Sequence, residues 1–153
     1  MSRSGIASGV VSSPASEVFG LLTDVDRLPE WNKIIVKVVE RPETLSPGAE
    51  WVVQLKAMGN SWQSRSTIEE HDPSRCLFAY RSCTDDGNPS YARWRWTVEP
   101  AAGGESRVTV TWELHPQTFW RRALLVRVRS RQLLREVPGS IDALAHALRE
   151  ASV

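Results

Sequence analysis

At 153 residues, with 41% hydrophobic and 24% charged side chains, the chain has the size and balance of one soluble domain, 1–153, able to bury roughly two thirds of the surface its unfolded form exposes. No apolar run approaches the ~20 residues of a membrane span, and no CxxC or Cys/His ligand spacing marks a metal or redox site. The net charge of +1 is unevenly spread: residues 1–116 carry 12 basic and 15 acidic side chains, residues 117–153 carry 7 and 3, and apart from Lys33, Lys37 and Lys56 every cation is an arginine.

Taken in chain order, Met1-Ser-Arg-Ser-Gly5 is followed by no apolar leader, so a cytoplasmic location is expected. Ile6–Ser12 alternates weakly and reads as a first strand. Ser13 is placed to cap a helix over 14–23, with Pro14 in its first turn and Glu17 near its positive end. Asp24–Trp31 reads as a second short helical turn with Leu28 and Trp31 three apart on one face.

Six strands follow. Ile34–Arg41 is closed by Pro42 and Pro47-Gly48. Glu50–Ala57 sets Trp51, Val53 and Leu55 against Val52, Gln54 and Lys56, and Met58-Gly59-Asn60 is a hairpin turn. Ser61–Glu70 puts Trp62, Ser64, Ser66 and Ile68 on one face. Arg75–Thr84 is expected to turn its bulkier set, Phe78 and Tyr80, inward, leaving Leu77, Ala79 and Arg81 opposite. Cys76 and Cys83 fall in this strand on opposite faces, so reduced thiols are expected. After the loop Asp85–Pro89, Tyr91–Glu99 sets Ala92, Trp94, Trp96 and Val98 against Arg93, Arg95, Thr97 and Glu99. A Gly-rich connection leads to Arg107–His115, with Val108, Val110, Trp112 and Leu114 on one side.

The last third, 117–153, reads as a long helical region interrupted near Pro138. Phe119, Ala123, Val126, Ser130, Leu133, Val137, Ile141, Leu144 and Leu148 recur in steps of three and four, forming one inward stripe. The expected architecture is α+β: a curved antiparallel sheet of about seven strands wrapped around a long C-terminal helix, with two short helices after the first strand. The inner sheet face carries most of the seven tryptophans, each removing on the order of 150–250 Å² from water when buried. A single stripe of Ala, Val and Leu does not readily cover that surface, and a gap between sheet and helix is the expected result.

Three stretches stand out: Val18-Phe-Gly-Leu-Leu-Thr-Asp24 followed by Leu28-Pro-Glu-Trp31, then Trp94-x-Trp96-x-Val98-x-Pro100, and Arg107-Val-Thr-Val-Thr-Trp112 after a Gly-rich turn. With the order of elements, they resemble the START-like helix-grip superfamily, also called SRPBCC, and within it the polyketide cyclase/dehydrase and lipid-transport group. The resemblance implies a hydrophobic cavity between sheet and long helix and no universal catalytic set. An iron-ligating His/His/carboxylate pattern is absent, which disfavours the superfamily's oxygenase branch.

The candidate ligand-binding residues are Trp51, Trp62, Ser66, Tyr80, Arg81, Trp94, Trp96, Trp112 and Leu133. The tryptophans are either plain core or a stacking wall. Ser64 and Ser66 beside Trp62 supply orienting polar groups or simply bond one another. Arg81 is an anion anchor if it turns inward and a solvated charge if it does not, the second being preferred. His71, His115 and His146 read as surface or end-of-element residues, none on the inner face, and Cys76 lacks a neighbour that would lower its pKa. No catalytic residue, metal or cofactor is assigned. The arginine-rich run 120–135 invites a nucleic-acid or membrane reading, but a solvated helix face answering sheet carboxylates such as Glu69, Glu70 and Glu99 is preferred, with no nucleic-acid or integral-membrane partner. Pro138-Gly139 is expected to bend the helix and so to gate entry.

Three functions compete. The first is a carrier or sensor for a small hydrophobic or aromatic molecule, the second a polyketide cyclase or aromatase assisted by a Tyr or Arg, and the third a protein-binding accessory factor using the basic helix. A homodimer is compatible with each.

Overall fold

A computed structural model describes residues 3–32, 34–57, 59–84, 91–115 and 137–148. The first strand, β1 (Arg3–Val11), leads into α1 (Ala15–Leu22), a single 3₁₀ turn (Val25–Arg27) and the short α2 (Leu28–Trp31). Strands β2 (Ile35–Glu40), β3 (Glu50–Ala57), β4 (Asn60–Asp72), β5 (Leu77–Thr84), β6 (Tyr91–Pro100) and β7 (Ser106–His115) follow. The last described segment, α3, is helical over 137–148. All pairings are antiparallel, in the order β1-β7-β6-β5-β4-β3-β2. The expected element order and sheet type are therefore observed.

Local chemistry explains the junctions. Helix α1 starts one residue later than a Ser13 cap requires: Pro14 stands at the N-cap position and its carbonyl accepts from the Glu17 and Val18 amides. Ser13 is buried instead, and its own carbonyl accepts a 2.6 Å bond from Ser106 Oγ, tying the start of β7 to the end of β1. The turn between β4 and β5 is organised by Asp72, whose Oδ1 accepts from the Ser74 amide, the Ser74 hydroxyl and the Arg75 amide. Cys76 belongs to this turn, at φ 48°, and not to the strand after it; both described cysteines are free.

The inner sheet face and the helices share one core. Val137, Ile141, Leu144 and Leu148, the described part of the C-terminal stripe, are buried together with Val18, Leu22, Trp96, Val108 and Val110. The earlier stripe positions, Leu133 among them, and the arginine run 120–135 lie outside the described residues. Pro138 and Gly139 fall inside the helical segment, and the chain on the near side of the expected bend lies outside the described residues. On the outer face, Arg93 pairs with Glu69 at 3.1 Å and Arg95 with Glu70 at 3.2 Å. Those two carboxylates thus have partners on β6, and the arginine run expected to answer them lies outside the described residues.

A bulge in β4 changes which side chains face inward. Up to Ile68 the alternation holds, with Ser64, Ser66 and Ile68 inside. The register then shifts between Ile68 and Glu70, so Glu70 pairs with Ala79 and His71 with Phe78. His71 consequently turns inward and stacks on Phe19 of α1, centroids 5.8 Å apart and rings 9° from parallel. This corrects the expectation that no histidine reaches the inner face: the extra residue inverts the parity that a strict two-residue period would give.

Candidate functional site

Two adjacent rows across the sheet create a hollow. One runs Gly5–Trp112–Trp94–Tyr80–Ile68 and the next runs Leu114–Ala92–Ser82–Ser66–Trp51, each residue opposite its neighbour in the ladder. The first is bulky at its centre. The second has small side chains there, so the level of the surface drops beside the aromatic band.

The resulting cavity has a volume of about 250 Å³. Its floor is Trp51, Val53 and Leu55 of β3, Ser64 and Ser66 of β4, Tyr80 and Ser82 of β5, and Trp94 and Trp96 of β6. Leu28 and Trp31 of α2, with Asn32, Ile34 and Ile35 after it, close one side, and Val137, Gly139 and Ser140 at the start of α3 close another. Among the described lining residues no side chain carries a formal charge. A second hollow lies on the outer face among Glu69, Glu70, Arg93 and Arg95. Its charged groups, half-buried Glu69 and exposed Glu70, Arg93 and Arg95, are already paired, which makes it a solvated surface.

Hydrogen bonds hold the aromatic wall in place. Trp94 Nε1 donates to Ser82 Oγ and Trp96 Nε1 donates to Tyr80 Oη, each at 3.2 Å. Tyr80 is packed edge-on against Trp51 at 4.8 Å and tilted against Phe78 at 5.3 Å. Loss of solvent around its hydroxyl pushes the Tyr80 pKa up to about 12, with the bond from Trp96 pulling the other way. Tyr80 nonetheless keeps some accessible surface. The two observations agree because the residue opens on the cavity it lines, not on bulk water. Tyr80 is therefore a neutral donor throughout the physiological range. Trp31 meets Trp96 edge to face at 5.7 Å and 84°, and its Nε1 is buried without a hydrogen-bond partner among the described residues.

Of the residues expected to bind a ligand, Trp51, Ser66, Tyr80, Trp94 and Trp96 come together around this space. Trp62 is half-buried at the margin of the core and is not part of the wall. Trp112 is 2% exposed and lies over Gly5, where an added Cβ would sit 2.2 Å from its Cζ2, so it is core. Arg81 drops out of the candidate contacts: it is exposed on the outer face, as the preferred solvated reading has it, its guanidinium 4.0 Å above the Tyr91 ring, because strand alternation that turns Tyr80 inward must turn Arg81 out. Leu133 lies outside the described residues. The sequence reading missed Trp31, Leu28, Asn32 and Ser82. Ser82 was within reach, being two residues from Tyr80 on the same strand face. Trp31 was read only as an apolar helix residue, and nothing in its spacing distinguishes a wall from a core.

The three histidines stand apart from the cavity. His71 packs against Phe19 and Phe78, His115 stacks on Tyr91 at 4.7 Å beside Glu113, and His146 is exposed on α3. None of the three lines the cavity. The described residues include no group of three or more His, Cys, Asp or Glu able to hold a metal, and no helix long and apolar enough to cross a membrane.

Known structures share this fold. The Zhui aromatase/cyclase from Streptomyces sp. R1128 superposes with a TM-score of 0.79 at 16% identity, over 100% of this chain and 97% of that one. The crystal structure of Ara h 8.0201 gives 0.77 at 16% identity, covering 98% and 99%. TTHA0849 from Thermus thermophilus gives 0.75 at 19%, covering 99% and 100%. At such identities the likeness is one of fold. No curated protein matches the chain by sequence. Residues 7–150, however, match the family described as polyketide cyclase / dehydrase and lipid transport, and with nearly its whole length so matched the chain belongs to that family, within the START-like helix-grip superfamily.

Proposed function

We propose that the chain binds a small, neutral, hydrophobic or aromatic molecule in the cavity between sheet and C-terminal helix, as a carrier or sensor. The observation that carries this reading is the wall itself: Trp51, Trp94, Trp96 and Trp31 supply ring surface, Ser64, Ser66, Ser82 and Tyr80 supply sparse polar groups, and no described lining residue is charged. Apolar pockets with a few orienting polar groups are the general form of small-molecule sites. A dry hollow of about 150 Å³ is enough for benzene, so the larger space here suits a fused bicyclic skeleton. Family membership supports a hydrophobic ligand in this space.

Cyclase or aromatase activity is less well supported. The described lining offers a weakly acidic phenol but no base to work with it. Native mass spectrometry of the purified protein, with and without added tetralin, tests the carrier reading and shows at once whether the liganded species is a monomer or a dimer. A retained or added small molecule at one per chain is expected. A bare chain that also fails to take up tetralin would overturn the proposal.

A further inference from the structure

Among the described residues the sheet ends on two free edges, β1 and β2, and they are finished differently. An edge strand presents unpaired N–H and C=O groups, and chains that stay single blunt it with charges, prolines or bulges. β2 has such devices. Its ladder with β3 slips between Ile35 and Lys37 and again between Val38 and Glu40, and Lys37 and Glu40 are exposed charges. β1 has none. It pairs with β7 from Arg3 to Val11 without a slip, and no charged residue or proline occurs from Ser4 to Ser13. Its outward row, Ser4, Ile6, Ser8 and Val10, is exposed throughout, with Ile6 at 66% and Val10 at 47%.

We propose that two copies of the chain join edge to edge through β1, antiparallel about a two-fold axis at Ser8, so that their two sheets become one. This goes beyond the carrier reading and does not depend on it. The outward row is self-complementary in that register: Ile6 of each copy meets Val10 of the other, and Ser8 meets its own counterpart. No other register pairs both apolar residues. Charge agrees. β7 sets exposed Arg107 beside Val10 and exposed Glu113 beside Ser4, so antiparallel docking turns the basic end of one copy toward the acidic end of the other. On the inner side Ile141 of α3 already fills the space above Gly9, and the new contacts therefore come from the backbone edge and the outward row. A strip of nine residues at ~3.3 Å each, roughly 15–20 Å deep with its side chains, buries about 500 Å² per partner. That total of about 1,000 Å² lies at the low end of specific interfaces and fits a weak, reversible dimer.

Sedimentation velocity of the full chain over a concentration series reads the association, and a reversible monomer–dimer equilibrium is expected. Ser8→Lys sets two like charges against each other on the axis and should raise the dimer dissociation constant at least about tenfold. Ser8 is exposed, so the urea midpoint should not move. A second variant gains a signal instead of losing one. With Cys76 and Cys83 replaced by serine, Ser8→Cys brings two thiols together at Cα distances of about 4.5–5.5 Å, inside the disulfide range, and should give a covalent dimer on mild oxidation. In the same background Ile6→Cys alone should give none, whereas Ile6→Cys mixed with Val10→Cys should. A chain that stays monomeric up to its solubility limit would overturn the proposal and leave β1 open to an extended segment of another protein. A dimer indifferent to Ser8→Lys, with no cross-link through Ser8→Cys, would also overturn it by placing the contact elsewhere.

Discussion

Gly9 of β1 and Ile141 of α3 fit together only because the glycine has no side chain: a Cβ built on Gly9 would lie 2.8 Å from Ile141 Cγ2. Gly9 is opposite Val108 on the inner sheet face, so its bareness lets the helix settle onto the sheet. A branched side chain cannot swing its γ-methyl aside freely. Gly9→Ala should therefore destabilise the fold by about 1–3 kcal/mol through overpacking. Gly20→Ala, in exposed helix with nothing within 4 Å of the new atom, should stabilise it by about 0.4–1 kcal/mol. Urea unfolding of the two variants checks both signs, and equal midpoints would contradict the proposed helix seat.

Tyr80 makes stability depend on alkaline pH. Below pH 10 folded and unfolded chains both hold the phenolic proton, and the group contributes no slope. From pH 10 to about 12 the unfolded chain releases it while the folded chain, its pKa raised by burial, does not. Stability should fall through that window by at most about 2–3 kcal/mol. Tyr80→Phe should flatten this part of the profile, whatever the substitution does to the baseline. An identical slope in the variant would show that the hydroxyl is not buried as described.

Ser106 and Ser13 close the sheet's first corner. Ser106 is 0% exposed, and its hydroxyl is bonded to the Ser13 carbonyl at 2.6 Å. Ser106→Ala leaves that carbonyl buried without this donor and should cost about 1–3 kcal/mol. Thermal unfolding measures it, and a change below a few tenths would mean the carbonyl finds another partner.

Much of this fold can be read from alternation alone, because each strand with one buried face must place its apolar residues two apart. Trp94-x-Trp96-x-Val98 and Trp51-x-Val53-x-Leu55 have this pattern, and all six face inward in the structure. Bulk also assigned β5 correctly, with Phe78 and Tyr80 inside. The misreadings have definite causes. The extra residue in β4 leaves no mark on composition, so the inward turn of His71 was invisible. Trp112 joined the core instead of the cavity because Gly5, its ladder partner, lets the indole lie flat across β1. Arg81 stands among the candidate contacts although the parity that turns Tyr80 inward favours its solvated reading. Trp31 reached the wall by the packing of a four-residue helix, a tertiary event that periodicity does not encode.

Filling the hollow separates affinity from stability. Ser66 is 4% exposed and lies opposite Trp51 and Ser82 at the cavity floor. Ser66→Leu adds apolar volume where the floor is low. Ligand affinity should drop at least about tenfold, while stability holds or rises by about 1 kcal/mol from the extra buried surface. Denaturant midpoints taken beside binding curves check the pair. Parallel losses in both would mean the site is already full.

The most direct test of the whole account is a calorimetric titration of the unaltered protein and of Ser66→Leu with tetralin at several temperatures. The account predicts one site per chain with a negative heat-capacity change, the mark of apolar surface leaving water, and its loss in the filled variant. No binding to the unaltered chain, or binding that survives Ser66→Leu undiminished, would contradict a ligand cavity between the sheet and the helix.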